Sequence, residues 1–371
     1  MTTSKVVLVS AYYPPHLGGQ EVAVRDLANQ VKSADVEVEV ATSDLGATKG
    51  LSIEDGVRVA RLKSTEFAHA AIIWNLVPWL IKHVKRTTVV HLHVGQIFTP
   101  EMTWLASRIA RFKYVLHLHF DFIPSGTMGR LLPLYKKLVL SRVIRDAALV
   151  VVINDEHRRE ILQQYPDKDV QIMTNGITDD YFSVPRSSSD QAPRLLFVGR
   201  LSVHKNLINL LEALDSLGGM YGLDIVGDGE RRQDLENFIA ERGLSNVTLH
   251  GRLDRDAIKS FYSTCSAFIL PSISEPQGIV LLEAMACHVP VIVSKVSGLA
   301  PSIEKAGAGI LIDTSSEGIA AGITRFNEMS DAEREQMGDR AVEEARRFSW
   351  STIVESYLDM YDKVAAATPT P

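Results

Sequence analysis

The sequence predicts an α/β fold in which two Rossmann-like domains, each with a parallel sheet, face one another across a cleft. Three observations support this prediction. The chain has 371 residues, which is enough for about two domains with separate hydrophobic cores. Short apolar segments alternate with helical patterns, which is typical of parallel sheets. A polar segment without periodicity, residues 183–193, has the composition of a flexible linker.

The linker sets the expected domain boundaries. We expect a first domain over residues 1–185 and a second domain over residues 194–346. Residues 347–371 are expected to form a C-terminal helix followed by a frayed tail, since the last seven residues contain three alanines and two prolines.

Segments rich in valine, isoleucine and leucine predict the strands and the turns that follow them. In the first domain they are residues 6–10, 36–42, 57–62, 89–93, 114–119 and 149–153. In the second domain they are residues 194–201, 223–230, 247–253, 267–271, 289–294 and 309–313. Helical patterns lie between them, for example at residues 21–31, 207–217 and 278–287, and a last helix ends near residue 365.

Composition limits the compartment and the class of protein. Cys265 and Cys287 lie in apolar segments far apart in the chain, so we expect buried core thiols in a reducing compartment. The first residues contain too short an apolar run for a signal peptide. The apolar segment 70–81 is interrupted by Asn75 and Pro78 and is too short to span a bilayer. We therefore expect a soluble, cytoplasmic protein.

Charge is divided unevenly along the chain. Residues 1–185 contain 21 Lys and Arg against 19 Asp and Glu, and the remainder contains 18 against 26. Neither half has the charge runs or interleaved aromatic residues of a nucleic-acid-binding protein. Four cations share one predicted helix with several leucines (Lys136, Lys137, Arg142 and Arg145). An amphipathic helix packed on its own domain explains them, and peripheral contact with the anionic inner face of a membrane is the alternative.

Two motifs of the first domain lie near the ends of predicted strands. Gly18 and Gly19 stand between the first strand and the first helix, where backbone amides can face an anion. Two later strands carry four histidines in alternating pairs (His91 with His93, His117 with His119), and alternation places each pair on one face. Four histidines raise the question of zinc. We expect no metal, because zinc sites usually need further ligands and a supporting shell.

The segment from residue 274 to residue 290 is the most informative of the chain. It begins as a turn after a buried strand and becomes helical at about Gly278. Glu275 lies in the turn and Glu283 lies inside the helix, with seven residues between them. Free amides at the start of a helix bind phosphate or hydroxyl oxygens, and a carboxylate accepts two hydroxyls of a sugar or ribose at once. The alternative is a helix cap beside a solvent-exposed glutamate.

Two cations follow the first strand of the second domain. Arg200 comes directly after Gly199, and four residues separate it from Lys205. Fixed cations at the end of a strand can neutralise the charge that develops on a leaving diphosphate. Cations are common on protein surfaces, so the strand and the glycine in front of this pair are what indicate the role.

Together these motifs resemble those of glycosyltransferase family 4. The resemblance rests on the Glu275–Glu283 spacing, on Gly-Arg-Leu at 199–201 followed by Lys205, and on the paired glycines; it is strong over residues 199–313 and looser before residue 170. It implies the GT-B fold, with a C-terminal helix that crosses back to the first domain. It also implies retaining transfer of a sugar from a nucleoside diphosphate to an acceptor, with no metal or other cofactor.

The resemblance implies a role for each site residue. The catalytic residues would be His119, Arg200, Lys205 and Glu275. The donor would be bound by ten residues (Gly18, Gly19, Arg200, Lys205, Leu253, Glu275, Gln277, Gly278, Ile279 and Glu283). Among these, Arg200 and Lys205 would hold the diphosphate, Glu283 the ribose and the backbone of Leu253 the base. Whether His117 or His119 faces the cleft stays open, since His117 occupies a place that usually holds a smaller residue.

Three positions depart from the family pattern. Gln277 replaces an aromatic residue before the motif glycine, which would make the sugar pocket more polar. His288 replaces a glycine at the end of the helix, where we expect a strained positive φ. Pro301 replaces an acidic residue in a later loop. None of these departures affects the two cations and two glutamates of the site (Arg200, Lys205, Glu275 and Glu283), so we still expect activity.

The expected function is therefore that of a hexosyltransferase acting on a nucleotide sugar. The acceptor stays open among glycans, lipid-linked acceptors and small molecules. Two alternatives remain. A nucleotide-sugar epimerase of GT-B fold would convert the donor without an acceptor, and a catalytically silent sugar-nucleotide-binding protein would keep only the fold. The intact set of two cations and two glutamates argues against the silent protein.

Overall fold

The computed structural model describes residues 3, 5–16, 18–67, 70–119, 135–187, 193–219 and 221–367. The chain forms two compact units, and each is considered by itself. Unit 1 comprises Met1–Gly176 together with Ile353–Pro371, and unit 2 comprises Ile177–Thr352. Residues 177–185, which were expected at the end of the first domain, therefore belong to unit 2.

Unit 1 is organised around one large sheet. Its strands are β1 (Lys5–Ser10), β2 (Glu37–Ser43), β3 (Gly50–Glu54), β4 (Val57–Leu62), β5 (Ser64–Phe67), β6 (Ala70–Ile73), β7 (Val89–Val94), β8 (Tyr114–Leu118), β9 (Leu149–Val152) and β10 (Val170–Ile172). Eight of these form the sheet in the order β10-β9-β8-β7-β1-β2-β4-β3, and β5 pairs with β6 in a separate hairpin. The helices are α1 (Gly19–Ser33), α2 (Leu76–His83), α3 (Thr99–Ala110), α4 (Ser141–Asp146) and α5 (Asp155–Gln164), with a π-helical turn at Lys136–Leu140.

Burial explains why the central strands are parallel and apolar. Every residue of β7 and β8 is buried, as is usual for parallel strands covered on both faces. The exception is β3, which pairs antiparallel with β4 at the edge of the sheet. The turn between them contains Asp55 and Gly56 with φ of 50° and 76°, the conformation that an Asp-Gly hairpin favours. The sequence analysis missed β3, although this turn was visible in the sequence.

Unit 2 contains a second, fully parallel sheet. Its strands are β11 (Arg194–Val198), β12 (Gly222–Val226), β13 (Val247–Gly251), β14 (Ala267–Leu270), β15 (Val291–Ser294) and β16 (Gly309–Ile312), in the order β13-β12-β11-β14-β15-β16. Its helices are α6 (Leu207–Ser216), α7 (Arg232–Arg242), α8 (Arg255–Thr264), α9 (Ile279–Ala286), α10 (Ala300–Ala306), α11 (Ser316–Glu328) and α12 (Asp331–Arg346), with short 3-10 helices at Asp179–Ser183 and Val203–Lys205.

The final helix, α13 (Trp350–Ala366), starts in unit 2 and continues in unit 1. Within unit 1, the hydroxyl of Tyr357 donates to the carbonyl oxygen of Thr174 at 3.1 Å. The hydroxyl of Tyr361 lies 2.8 Å from Nδ1 of His91 on β7. The predicted fold class is therefore confirmed: each unit has a parallel α/β sheet, and the C-terminal helix returns to the first.

Two smaller expectations can also be compared with the structure. The apolar segment 70–81 divides into β6 and α2, and among the described residues no helix combines the length and hydropathy needed to cross a bilayer. Cys265 and Cys287 are buried free thiols, as expected. Burial raises the pKa of the Cys265 thiol to about 12, so it stays protonated and acts as a small apolar group.

Candidate functional site

The candidate residues of unit 2 lie at the carboxyl ends of its strands. Arg200 and Lys205 follow β11, Leu253 follows β13, and Glu275 follows β14. In the sheet, β11 is the neighbour of both β12 and β14. Because parallel strands end at the same edge, this topology gathers residues that are distant in sequence, which is where ligands bind in open α/β sheets.

Backbone hydrogen bonds join the loops that follow β11 and β12 at this edge of the sheet. The amide of Gly199 donates to the carbonyl of Val226 at 3.0 Å, and the amide of Leu201 donates to the carbonyl of Asp228 at 3.0 Å. Gly227 has a φ of 137°, and a Cβ there would overlap the carbonyl oxygen of Gly199. The glycines at 199 and 227 are therefore needed for two loops to touch, backbone against backbone.

Replacing Gly227 by Ala is expected to destabilise unit 2 markedly. Gly243→Ala is the matched control, because Gly243 also has a positive φ of 68° but nothing lies near its missing Cβ. The control should lose about 1 kcal/mol from backbone strain. Gly227→Ala should lose about 2 kcal/mol more, because a backbone oxygen must move. Urea unfolding of both variants measures the difference, and equal losses would contradict the packing described here.

Lys205 and Glu275 form the central contact of the site. Nζ of Lys205 makes an ion pair with Oε2 of Glu275, and their side chains are only 19% and 10% exposed. Ser272 donates from Oγ to the same carboxylate oxygen at 3.4 Å. The backbone of Glu275 is also held, because its carbonyl accepts from the amide of Gly298 at 2.8 Å. A cation and a carboxylate are thus fixed side by side before any ligand arrives.

Asn206 positions this pair, and the sequence analysis did not assign it a role. It adopts the left-handed conformation, with φ 59° and ψ 33°, directly before α6. Its side-chain amide donates to the carbonyl oxygens of Pro271 at 3.1 Å and Thr314 at 2.7 Å, so it ties the ends of β14 and β16 to Lys205. Asparagine tolerates this conformation better than other non-glycine residues, which is the signal that could have identified it.

Arg200 occupies a different environment from Lys205. Its side chain is 76% exposed and pairs with Glu230, with Nε 3.3 Å from Oε2. Such an exposed pair contributes little to stability and exchanges readily for another anion. Leu253, by contrast, packs partly buried against the core of unit 2.

The start of α9 has the geometry expected of a ligand-binding turn. Gly278 has a φ of 78°, and a Cβ there would come within 3.2 Å of Cγ of Glu275 and 3.3 Å of Cδ2 of Leu270. The helix begins at Ile279, and the preceding Gln277 is buried, with 3% of its surface exposed. Glycine is therefore required here both for its conformation and for the close approach of the Glu275 side chain.

Glu283 lies on the buried side of α9. It is 7% exposed, and Oη of Tyr262 donates to its Oε2 at 3.1 Å. Burial, followed by the charge of Glu283, raises the pKa of the Tyr262 phenol well above its usual value. The phenol therefore remains a donor, and it holds the carboxylate through a neutral hydrogen bond. At the end of the same helix, His288 has the positive φ expected from the sequence, 65°.

In unit 1 the glycine pair lies at the start of α1. Gly19 is the first helical residue, and a Cβ on Gly18 would collide with the carboxylate of Glu21. Oε1 of Glu21 in turn lies 3.1 Å from Nδ1 of His16. Gly18 therefore makes room for an acidic side chain at the helix N-terminus, where a carboxylate is favoured by the helix dipole. Any anion that approached these amides would first have to displace it.

The four histidines are buried together and form two layers. In one layer, Nδ1 of His117 lies 3.2 Å from Nε2 of His91, and the two ring planes are 6° from parallel. In the other layer, Nδ1 of His93 lies 2.8 Å from Nε2 of His119. The layers stack with ring centroids 4.1 Å apart for His91 and His93, and 4.2 Å apart for His117 and His119. Alternation correctly predicted the shared face, but not the pairing across strands.

This layering bears on the question of a metal. Ring nitrogens of His91, His93 and His117 lie within 4.8 Å of one another. A zinc ion would draw three imidazole nitrogens toward one point at about 2.0 Å, along their ring planes. Here the short contacts run within each layer as hydrogen bonds, and the layers are stacked. Hydrogen bonding and stacking account for the cluster, and the absence of a metal stays a prediction.

Residues 254–256, Asp-Arg-Asp, superficially resemble a metal-binding motif of two aspartates. The first of them, Asp254, caps α8 by accepting from the amide of Ala257 at 2.8 Å.

Comparison with protein families matches both halves of the chain. Residues 182–344 match the family described as glycosyl transferases group 1, and residues 18–176 match the glycosyl transferase 4-like domain. Alpha-maltose-1-phosphate synthase of Mycolicibacterium smegmatis is 26% identical over 98% of this chain and 100% of its own length. Alpha-D-kanosaminyltransferase of Streptomyces kanamyceticus is 27% identical over 77% of this chain and 81% of its own length.

Solved structures with the same fold are also available for comparison. A sucrose-phosphate synthase from Thermosynechococcus elongatus superposes with a TM-score of 0.81 at 20% identity, over 98% of this chain and 100% of that one. Anabaena Alr3699/HepE, solved with UDP and glucose, superposes with a TM-score of 0.74 at 20% identity, over 98% of this chain and 100% of that one. From its two family matches and its fold, the chain belongs to the GT-B superfamily of glycosyltransferases and is a glycosyltransferase enzyme.

Proposed function

We propose that the protein is a retaining glycosyltransferase of family 4 that transfers a sugar from a nucleoside diphosphate, with the donor bound at the carboxyl edge of the unit 2 sheet. The observation that carries this proposal is the half-buried pair of Lys205 and Glu275 beside the glycine turn that opens α9. An ion pair that only stabilises the fold requires neither a positive-φ glycine beside it nor a helix N-terminus with free amides. A site for a charged, hydroxyl-rich ligand requires the ion pair, the glycine and the helix N-terminus together.

The ion pair suggests how the donor would enter. A diphosphate is a better partner for Lys205 than one carboxylate, because it carries more charge and more acceptor oxygens. As Lys205 turns to the diphosphate, Glu275 is released to accept hydroxyls of the sugar. Exposed Arg200 would leave Glu230 for the same diphosphate. Lys205 and Glu275 are thus already largely desolvated before the donor binds, which lowers the cost of arranging them in the transition state.

Glu283 would hold the ribose. Its Oε2 accepts the hydrogen bond from Tyr262, and it lies in α9, five residues beyond Gly278. A carboxylate can accept both ribose hydroxyls at once, so an isosteric amide should lose most of this contact. In unit 1, Gly18, Gly19 and His119 remain the proposed contacts of the sugar. No metal is invoked, because Arg200 and Lys205 supply the positive charge.

Nucleotide binding is the first test. UDP is the first nucleotide to try, because Alr3699/HepE was solved with it, and GDP, ADP and TDP follow. One of them, in EDTA and at a hundred times its dissociation constant, should stabilise the protein by about 2.7 kcal/mol. Thermal unfolding measures this gain.

Glu283→Gln should reduce the gain, since the amide has one acceptor oxygen instead of two. Glu304→Gln, on the surface of α10, is the matched control and should keep the full gain. A gain that appears only with a divalent metal, or that survives in Glu283→Gln, would count against the proposal. Conversion of the sugar to an isomer would favour the epimerase instead.

A further inference from the structure

His93 is a buried residue that the proposed function does not use. It lies near the end of β7, aligned with His117 on β8, and it is 2% exposed. Its Nδ1 lies 2.8 Å from Nε2 of His119, which is 6% exposed and directly follows β8. Its other ring nitrogen, Nε2, is buried and has no hydrogen-bond partner among the residues that the structure describes.

The position of the protons follows from that unpaired nitrogen. A buried N–H group without an acceptor is rare and costs its full desolvation, whereas a buried acceptor without a donor is better tolerated. The proton of His93 therefore belongs on Nδ1, from which it is donated to Nε2 of His119. Nε2 of His119 is then the acceptor, so the proton of His119 belongs on its own Nδ1.

The other layer obeys the same rule independently. Nε2 of His117 is likewise buried without a partner in the described part of the chain, so its proton belongs on Nδ1 and is donated to Nε2 of His91. His91 then carries its proton on Nδ1, which faces the hydroxyl of Tyr361 at 2.8 Å. All four imidazoles therefore carry the same tautomer, and three of their N–H groups, those of His91, His93 and His117, meet an acceptor within the cluster.

We propose that His93 is a positioning residue that fixes His119 in a single orientation as the neutral Nδ1–H tautomer, so that His119 offers a hydrogen-bond donor to an oxygen of the sugar. The role of His119 in this statement rests on the proposed function. The assignment makes His119 a donor rather than a base, because its only lone pair is already occupied by His93. Burial lowers the pKa of His119 to about 3, which keeps the ring neutral at physiological pH.

The tautomer can be read directly by nitrogen NMR of the ¹⁵N-histidine-labelled full chain, without any ligand. His119 should show a protonated Nδ1 and a bare Nε2, with signals assigned by their loss in His119→Asn. In His93→Leu, the Nε2–H tautomer of His119 should appear beside the Nδ1–H tautomer. His93→Asn should restore the Nδ1–H tautomer alone, since the asparagine amide can donate to His119 in place of Nδ1 of His93. His117→Leu, equally buried but bonded to His91, is the matched control and should leave His119 unchanged.

A second measurement connects the tautomer to the ligand. In His93→Leu the affinity for UDP-glucose should fall about tenfold relative to UDP, because only the sugar meets His119. Wild-type His119 protonated on Nε2, or an unchanged tautomer in His93→Leu, would overturn the proposal. Both can be observed in a protein that binds no nucleotide, so failure of nucleotide binding would count against the proposed function alone.

Discussion

Lowering the pH from about 7.5 to about 5.5 is expected to remove about 5 kcal/mol from the stability of unit 1, because four neutral histidines are buried in its sheet. Burial is the first cause that lowers the pKa of His91, His93 and His117 well below its usual value, and the neighbouring histidines lower it further. Burial alone does the same for His119. Among the described residues, the rings of Tyr357 and Tyr361 of α13 also contact the cluster, through His91.

The direction of the effect follows from proton binding. Above the unfolded pKa of about 6.5, folded and unfolded histidines are both neutral, and the full stability is present. Below it, the histidines of the unfolded chain bind protons that the buried histidines of the folded unit do not bind, so the free energy of unfolding falls as the pH falls. Each histidine therefore loses about 1.4 kcal/mol in total between pH 7.5 and pH 5.5, and four histidines lose about 5 kcal/mol.

Hydrogen exchange of peptides from β7 and β8, followed as a function of pH, measures this loss locally. His93→Asn should reduce the proton uptake by one, while His83→Gln, at the end of α2 and outside the cluster, should leave the slope unchanged. A stability independent of pH over this range would mean that the cluster is charged or hydrated in the folded unit.

Replacing Lys205 by Met is expected to slow cleavage of the donor by about 10²- to 10³-fold, as for the removal of one preorganised charge from a transition state. The side chain keeps most of its length and loses the ammonium group, with its charge and its three hydrogen-bond donors. The cation is poised beside Glu275 and buried enough for its field to be weakly screened. Its loss should therefore appear mainly in kcat, with a smaller effect on donor binding. Release of the nucleoside diphosphate in the absence of acceptor measures the rate.

Lys295→Met is the matched control for charge removal. Lys295 also pairs with a carboxylate of unit 2, Asp313, at 2.9 Å, but its side chain is 56% exposed. That variant should keep its rate within about twofold, as surface pairs contribute little. The unfolding temperature of Lys205→Met must be followed as well, since Glu275 loses its partner. A variant that is stable and cleaves the donor at the wild-type rate would rule Lys205 out of catalysis.

Much of the fold could be predicted because its signals are local. The strands β9, β14 and β15 coincide with apolar segments in the sequence, since parallel strands buried on both faces are continuously apolar. The edge strand β3 was missed for the opposite reason. Its exposed Leu51 and Ile53 lie among polar residues, and only the Asp-Gly turn that follows gave a sign of it.

The candidate site could be predicted only as separate motifs. The spacing of Glu275 and Glu283 is a property of one segment, but the ion pair of Lys205 with Glu275 joins residues 70 positions apart. No local pattern encodes that contact; it depends on the order of β11 and β14 in the sheet. The same holds for Asn206 and for the pairing of His93 with His119, which arise only when neighbouring strands are in register.

The chain leaves unit 1 after residue 176 and returns to it at residue 353, which affects the order in which the two units can fold. The first and last parts of unit 2 lie together, because the amide of Ile177 donates to Phe348 at 2.9 Å and the amide of Trp350 donates to Ile177 at 3.0 Å. Unit 2 is therefore a continuous insertion that can fold as soon as it has been synthesised. Unit 1, although it begins first, must wait for α13 to bring Tyr361 to His91. During translation, the N-terminal sheet is thus the last part of the protein to be completed.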